Sequence, residues 1–268
     1  MDLDGVVWRG DEGVPGAAEA VGLLQDAGER VLFVTNNSGR RVLDTEEKLA
    51  GLGIDARGGV ITSGRAAARL VAPGERVLGM CGPGCREEME ARGAEVVSTG
   101  PADTVVVGFH EDFDYWGLTA AMKAVLGGAR VLATNDDVTF PAHDGLRPGA
   151  GSLLAALVAA TGATPEKAGK PYGPMCDLVR ELAGDDGTMV GDRPDTDGRF
   201  ARALGWRWSL VLSGLVGPDD LPVDPEPDSI HVDLLAAVRE HLEGAPADAS
   251  TGRWSGVGWC RAGPRPAK

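Results

Sequence analysis

The sequence predicts an α/β protein in which helices cover a parallel β-sheet. Short, continuously apolar runs alternate with longer segments of helical periodicity along most of the 268 residues. Because these runs are apolar throughout rather than at every second position, they indicate strands buried on both faces, as in parallel sheets. The chain is 43% hydrophobic, which is enough for one large domain or two modest ones.

The elements follow one another in a regular order. The predicted strands are "RVLFV", "GGVIT", "RVLGMC", "DTVVVGF", "RVLAT", "GTMVGD" and "WSLVLSG". The predicted helices are "PGAAEAVGLLQDAGE", "SGRAAARLVA", "REEMEARG", "DYWGLTAAMKAVLGG", "GAGSLLAALVAATG", "YGPMCDLVRELAG", "DGRFARALG" and "VDLLAAVREHLEG". Pro15 marks the start of the first helix and Gly28 its end, while Ser63 is the expected N-cap of the second. The stretch from about residue 245 is rich in Pro, Gly and Ser, and it predicts a flexible tail.

Charge and composition exclude several classes of partner. The formal charge is -14 and the isoelectric point about 4.7, so a nucleic acid or an anionic membrane surface would be repelled. A small anionic substrate remains compatible with this charge, because a bound metal reverses the sign of a site locally. The few cysteines, the lack of a membrane-length apolar run and the lack of a signal-peptide pattern predict a cytoplasmic protein.

Polar residues follow the predicted strands where ligands bind in open parallel sheets, beyond the carboxyl ends. These stretches are "DLDG" at the start of the chain, "TNNSGR" after "RVLFV", "GKP" ahead of a helix, and "GDRPDTD" after "GTMV". Together they supply carboxylates, a hydroxyl and a lysine. Hard oxygen ligands favour Mg²⁺, and a lysine can face phosphate oxygens, so the combination predicts a site for phosphoryl transfer.

Each of these stretches has a second interpretation when taken alone. A D-x-D pair is also the metal motif of many glycosyltransferases, and it can simply be a solvated strand end. "TNNSGR" is most often a polar turn, "GKP" a loop with a surface lysine, and "GDRPDTD" an acidic turn in which Asp197 caps the next helix. Their joint order in one chain favours the phosphoryl-transfer interpretation.

The four stretches, in this order, resemble the motifs of the haloacid dehalogenase superfamily of phosphohydrolases. The "TNNS" form resembles the branch that contains p-nitrophenyl, phosphoglycolate, pyridoxal and glycerol-3-phosphate phosphatases. That resemblance implies a Rossmann-like parallel-sheet core, residues 1–63 and 166–244, with an α/β cap domain inserted at 64–165 and the tail at 245–268. The segment "VLATNDDVTFPAHDGLRPGAGSLLAAL" resembles the end of that cap.

The resemblance also implies a role for each motif residue. Asp2 would be the nucleophile that forms an aspartyl-phosphate, and Asp4 the general acid and base. Mg²⁺ would bind Asp2, Asp192 and the backbone carbonyl of Asp4. Asp197 would orient Lys170 or a metal-bound water without binding the metal itself. The remaining catalytic groups would be Thr35 and Lys170, which would stabilise the transferring oxygens.

Substrate contacts are predicted from both the motifs and the cap. The backbone N–H groups of Gly5 and Asn36, together with Asn37, would surround the phosphate. Cap residues would select the rest of the substrate or only shape a turn: Asn135, Asp136, Asp137, Thr139, Phe140 and His143. The expected substrate is a small phosphorylated metabolite, with glycerol 3-phosphate ahead of phosphoglycolate, sugar phosphates and nucleotides. A homodimer through the cap is also implied, and a catalytically impaired relative that binds phosphorylated ligands is the alternative function.

The start of the chain departs from the family pattern. A buried strand normally comes directly before the first Asp, whereas here only Met1 does. We therefore expect that the natural protein has further residues upstream, the alternative being a true short form. We also expect that the first residue is frayed and holds Asp2 poorly.

Overall fold

The computed structural model describes residues 1–142 and 145–244. His143 and residues 245–268, for which a substrate contact and a flexible tail are predicted, lie outside the described residues. The chain forms two compact units. The first comprises Met1–Val34, Leu49–Gly59 and the chain from Val179, and the second comprises Thr35–Lys48 and Val60–Leu178.

Every predicted strand and helix overlaps an element of the structure. The strands are β1 (Trp8–Arg9), β2 (Glu12–Gly13), β3 (Phe33–Thr35), β4 (Val60–Thr62), β5 (Arg76–Met80), β6 (Glu95–Val97), β7 (Thr104–Val107), β8 (Arg130–Ala133), β9 (Thr139–Ala142), β10 (Gly145–Pro148), β11 (Glu166–Lys167), β12 (Thr188–Gly191), β13 (Arg207–Val211) and β14 (Ser229–His231). The α-helices are α1 (Ala17–Asp26), α2 (Val42–Gly51), α3 (Ser63–Ala68), α4 (Pro83–Ala91), α5 (Tyr115–Leu126), α6 (Ala150–Thr161), α7 (Gly173–Ala183), α8 (Arg199–Leu204) and α9 (Leu234–Gly244). A π-helical turn covers Pro194–Gly198 and a 3₁₀ turn covers Pro218–Asp220.

The second unit is built on a parallel sheet with the strand order β11-β8-β7-β5-β6. Val105 pairs with Leu78 on one side and Val131 on the other, and all three side chains are buried. Helices α5 and α6 contribute Ala121, Leu157 and their neighbours to the same apolar cluster. The apolar strands are therefore buried as the sequence predicts. An antiparallel hairpin, β9 with β10, belongs to this unit as well.

The first unit contains the parallel sheet β12-β13-β14. Its core includes the fully buried ring of Trp208 on β13 and the side chain of Phe200 on α8. Helix α9 packs on both α1 and β13. None of the helices among residues 1–142 and 145–244 combines the length and the apolar character needed to cross a membrane.

The first two residues extend the sheet of the first unit. The ammonium group of Met1 donates to the carbonyl oxygen of Leu32 at 2.7 Å, and Val34 N–H donates to Met1 O at 2.8 Å. On the other side, Asp2 N–H donates to Val190 O at 2.8 Å. The Met1 side chain is only 6% exposed. The expected fraying of the first residue is therefore wrong, because the backbone on either side fixes it.

Two predicted helix boundaries also need correction. Thr62, not Ser63, is the N-cap of α3, since its Oγ1 accepts the N–H of Arg65 at 3.1 Å. Gly16, with a φ of 82°, occupies the N-cap of α1, so the helix starts after Pro15. The predicted end of α1 is correct, because Gly28 adopts a φ of 77° just beyond it, a conformation that favours glycine.

Candidate active site

Three buried carboxylates come together in the first unit. Oxygen atoms of Asp2, Asp192 and Asp197 all lie within 4.8 Å of one another. Asp2 ends the extended segment beside β12, Asp192 directly follows β12, and Asp197 lies in the π-helical turn that comes next. We call these three residues the acidic cluster. The sequence brings them together because two neighbouring parallel segments end at the same edge of the sheet.

Backbone N–H groups hold the acidic cluster in place. Leu215 N–H donates to Asp192 Oδ2 at 2.6 Å, and Arg193 N–H donates to Asp197 Oδ2 at 3.2 Å. The backbone of Asp2 is itself fixed to Val190. These bonds to charged acceptors are stronger than bonds between neutral groups. The carboxylates are therefore orientated by the fold itself, as a site of defined geometry requires.

Glycines let the backbone approach these carboxylates closely. A Cβ atom at Gly214 would lie 2.0 Å from Asp192 Oδ2, and one at Gly5 would lie 2.4 Å from it. Gly5 also has a φ of 82°, which other residues rarely adopt. Ser213 Oγ donates to the Gly5 carbonyl at 2.7 Å and ties the two glycine segments together. Any side chain at these positions would fill the space around the carboxylate.

The acidic cluster fits a magnesium ion. Its donors are hard carboxylate oxygens, which Mg²⁺ prefers, and octahedral ligands at about 2.0–2.1 Å from the ion are at most about 4.2 Å apart. The carboxylate oxygens of the cluster, all within 4.8 Å of one another, come close to that limit. Three like charges in a buried site repel one another, and a divalent cation offsets that repulsion.

Asp4 has a different environment from the acidic cluster. It is partly exposed, and Trp8 Nε1 donates to its Oδ1 at 2.9 Å. The ring of Trp8 is buried, and its backbone carbonyl accepts the N–H of Gly5 at 2.7 Å. The Trp8 indole therefore orients the Asp4 carboxylate, and both residues lie in the turn formed by "DLDGVVW". Sequence reasoning missed Trp8, although its place in "DLDGVVW" is a usable signal.

Asp195 lies outside the acidic cluster, although it is close to Asp192 and Asp197 in the sequence. Its carboxylate forms an ion pair with Arg193 at 3.0 Å and is largely exposed. Partial burial raises the pKa of Asp195, but the hydrogen bond and charge of Arg193 outweigh burial and lower that pKa below its usual value. Asp197 is not the N-cap of α8, which is Gly198.

The second unit contains the predicted Thr35 and Lys170, both buried. Thr35 Oγ1 accepts the N–H of Asn37 at 3.0 Å, and Asn37 Oδ1 accepts the N–H of Gly39, also at 3.0 Å. The polar turn that "TNNSGR" predicts is thus present. The side chain of Asn36 makes its hydrogen bonds to the backbone of Lys170 and to Asp137.

The predicted cap residues are largely engaged inside the second unit. Asn135 Nδ2 donates to the carbonyl of Asn36 at 2.7 Å. Asp136 Oδ2 accepts from Lys167 Nζ at 2.7 Å and from the hydroxyl of Tyr172 at 2.6 Å. Hydrogen bonding to Asp136 raises the pKa of Lys167, while burial and then Asp136 raise the pKa of Tyr172. Sequence reasoning missed Lys167 and Tyr172, since no local pattern links them to Asp136.

The other two cap candidates lie on the hairpin strand β9. Thr139 is the first residue of that strand, and Phe140 follows it. The ring of Phe140 meets that of Phe109 edge to face, with 4.7 Å between ring centroids. An apolar contact of this kind is structural, so a substrate contact of Phe140 stays a prediction.

Comparison with known proteins decides the family. The model of haloacid dehalogenase-like hydrolases matches residues 1–95, and a HAD-hydrolase-like model matches residues 167–237. An acid sugar phosphatase of Staphylococcus saprophyticus is 31% identical over 250 residues, which cover 91% of this chain and 88% of that protein. The chain belongs to the haloacid dehalogenase-like hydrolases.

Solved structures of phosphatases have the same fold. The p-nitrophenyl phosphatase of Archaeoglobus fulgidus is 31% identical, with a TM-score of 0.83 over 89% of this chain and 97% of that one. A glycerol phosphate phosphatase of Mycobacterium tuberculosis, solved with magnesium, is 36% identical, with a TM-score of 0.81 over 88% and 74% of the two chains. The predicted superfamily, the α/β fold class and the prediction of a phosphoric monoester hydrolase are confirmed.

Proposed function

We propose that this hydrolase is a magnesium-dependent phosphatase of small phosphate monoesters that works through an aspartyl-phosphate on Asp2. The acidic cluster is the observation that carries the proposal. It combines a fixed nucleophile with two further carboxylates, Asp192 and Asp197, in a buried site. The magnesium complex of the glycerol phosphate phosphatase supports Mg²⁺ as the cofactor.

The residues of the first unit divide the chemistry between them. A carboxylate oxygen of Asp2 attacks phosphorus while the bond from phosphorus to the leaving oxygen breaks. Asp4 gives its proton to the leaving alcohol, then accepts a proton from the water that attacks the aspartyl-phosphate and releases inorganic phosphate. Asp2 and Asp192, with the Asp4 carbonyl, would hold the metal, and Asp197 would support them. When bound, Mg²⁺ offsets the negative charge of carboxylate and phosphate.

Residues of the second unit are assigned through the motif resemblance. Thr35 and the ammonium group of Lys170 stabilise the charge on the transferring phosphoryl oxygens. The backbone N–H of Asn36 adds a donor to the same oxygens. The N–H of Gly5, also predicted as a donor, instead donates to Trp8 O at 2.7 Å, so Gly5 is not assigned that role. Such donors act strongly because they are already orientated before the reaction and sit where water is excluded.

Glycerol 3-phosphate is the leading substrate, ahead of phosphoglycolate, sugar phosphates and nucleotides. Among the relatives, one is named for sugar phosphates and one for glycerol phosphate, so esters of polyhydroxy compounds are common to both names. A homodimer through the cap, the domain boundaries and a cytoplasmic location stay predictions.

The test is a phosphatase screen on a panel of these esters with Mg²⁺, using wild type and two variants. Asp2→Asn keeps the shape of the side chain but weakens the nucleophile, so turnover should fall by at least about 10³-fold. Asp195→Asn removes a nearby carboxylate outside the acidic cluster and serves as the matched control. Comparable turnover in pure Asp2→Asn would contradict the mechanism. Absence of turnover by wild type on p-nitrophenyl phosphate would favour the impaired relative instead.

A further inference from the structure

The amide of Asn36 pairs with the backbone of a single residue, Lys170. Asn36 Oδ1 accepts the N–H of Lys170 at 2.8 Å, and Asn36 Nδ2 donates to the Lys170 carbonyl at 3.1 Å. Asn36 Nδ2 also donates to Asp137 Oδ2 at 3.0 Å. An amide offers two donor hydrogens and an acceptor oxygen, and here each takes part in a bond. The Asn36 side chain is thus engaged within the protein, whereas the predicted phosphate contact concerns its backbone N–H.

The backbone of Asn36 is held as firmly as its side chain. Its carbonyl oxygen accepts from Ser63 Oγ and from Asn135 Nδ2, both at 2.7 Å. Asn135 Oδ1 in turn accepts the N–H of Asp137 at 3.1 Å. Ser63 and Asn135 are buried. A connected network of satisfied polar groups in a buried region is rigid, so the amide plane of Asn36 has one orientation.

The residue before Lys170 packs directly on this amide. A Cβ atom at Gly169 would lie 2.5 Å from Asn36 Oδ1 and equally close to the carbonyl oxygen of Thr134. Gly169 N–H donates to that same Thr134 oxygen at 2.7 Å. The backbone of Gly169, just before Lys170, therefore lies against the Asn36 amide and against Thr134, the residue that follows β8. Only glycine leaves room for that approach.

We infer that Asn36 is a positioning residue that fixes the backbone of Lys170 and, through it, the ammonium group. The Lys170 side chain is 1% exposed, so the place of its Nζ depends on where its backbone starts. The inference rests on the proposed function, because Lys170 receives its role in phosphoryl stabilisation there. It gives the Asn36 side chain a role in supporting a catalytic group, beside the phosphate contact predicted for its backbone N–H.

The test is a double-mutant cycle on the full chain, with p-nitrophenyl phosphate and saturating Mg²⁺ under single-turnover conditions. Misplacement of a catalytic group by about 1 Å costs on the order of 100-fold in rate, so Asn36→Ala should lower the rate by about that factor. In the Lys170→Ala background the same substitution should cost less than about threefold, because coupled residues are not additive. The concentration at which the single-turnover rate is half-maximal should change little, since the Asn36 side chain does not bind substrate.

The control separates positioning from general loss of stability. Thr45 is a buried residue of α2 whose Oγ1 donates to Arg41 O at 3.1 Å, and it makes no contact with Asn36 or Lys170 in the described network. Thr45→Ala should lower the melting temperature and change the rate by the same small factor in both backgrounds. A purely structural Asn36 would behave in that way too.

A second pair of variants keeps the test open if Asn36→Ala does not fold. Asn36→Asp retains the acceptor for Lys170 N–H but loses both donors and faces the carboxylate of Asp137. Adding Asp137→Asn restores a donor and removes the like charge, so the double variant should regain at least about tenfold in rate over Asn36→Asp. Failure to regain rate while the melting temperature recovers would overturn the positioning role.

The outcomes distinguish this inference from the proposed function. If Lys170→Ala is impaired and Asn36→Ala costs the same factor with and without Lys170, the inference is overturned while the role of Lys170 stands. If Lys170→Ala turns over like wild type, both the role of Lys170 and the inference are wrong.

Discussion

Three aspartates of this region have different roles because their surroundings differ. Asp192 is buried and accepts a backbone N–H, Asp4 is partly exposed and accepts an indole N–H, and Asp195 is paired with Arg193 at the surface. Only the first environment suits a metal ligand, because it combines burial with neighbouring carboxylates. The second suits a group that must exchange protons with substrate and water.

Replacement of Trp8 tests whether the indole positions Asp4. Trp8→Phe keeps an aromatic ring in the buried pocket but removes the N–H that donates to Asp4 at 2.9 Å. We expect kcat to fall by about tenfold with KM nearly unchanged, because general acid and base catalysis contributes about 10²–10⁴-fold and only its orientation is lost. Steady-state kinetics on p-nitrophenyl phosphate measures both constants. An unchanged kcat in a folded Trp8→Phe protein would show that Asp4 needs no such support.

Single residues were predictable where a local motif identifies them and not where contacts are distant in sequence. Asp192 is found from the strand that precedes it, and Asp2 from the "DLDG" motif. For Asn36 the sequence predicts only a phosphate contact of the backbone N–H, because nothing in "TNNS" shows that the side-chain amide meets a backbone 134 residues away. Lys167 and Tyr172 were missed for the same reason, since they meet Asp136 across 31 and 36 residues.

The sequence predicts which strands and helices exist better than it predicts the residues at which they begin and end. Apolar runs and helical periodicity identify strands and helices, because each spans several residues of consistent pattern. The segment Met1–Asp2 carries too few residues for any pattern, so its place beside β12 is not visible in the sequence. The N-cap of α3 lies one residue before the predicted one, because Ser is the preferred capping type and only the geometry shows that Thr62 takes this position.

A buried histidine in helix α9 lies beside Glu29, in the segment that follows α1. His241 Nε2 lies 3.8 Å from Glu29 Oε1, and both side chains are less than 10% exposed. Burial of the ring, and to a smaller extent the charge of Arg207, lowers the pKa of His241 to about 4. The folded protein therefore keeps this histidine neutral at pH values where a free histidine is protonated.

This difference predicts how the stability of the α1–α9 pair depends on pH. Between about pH 6.5 and 4 the unfolded chain binds a proton at His241 that the folded chain does not, so the free energy of unfolding falls as the pH is lowered. From pH 7 to 5 the loss should be about 2 kcal/mol, and His241→Gln should remove that part of it. Urea unfolding of both proteins at the two pH values measures it. Parallel pH dependence in wild type and His241→Gln would contradict the shift.

At the scale of the whole molecule, the acidic cluster opposes folding in a chain that already carries a formal charge of -14. Asp2, Asp192 and Asp197 are each less than 10% exposed, so water screens their repulsion poorly. A site arranged for a metal is thus destabilising without the metal, a usual conflict between stability and activity. Binding of Mg²⁺ to the folded state alone should relieve it.

Thermal unfolding with and without Mg²⁺ tests this conflict without any activity measurement. Mg²⁺ at about 100 times its dissociation constant should stabilise wild type by about 2.7 kcal/mol and raise its melting temperature. Asp192→Asn should lose most of that response, yet without metal it should melt above wild type, because one of three like charges is gone while the amide oxygen can still accept the N–H of Leu215. Asp195→Asn, a substitution outside the cluster, should keep the full response to Mg²⁺.

Equal responses of wild type and Asp192→Asn would mean that Mg²⁺ does not bind the acidic cluster. A metal-free Asp192→Asn protein that melts below wild type would mean that the buried charges do not oppose folding.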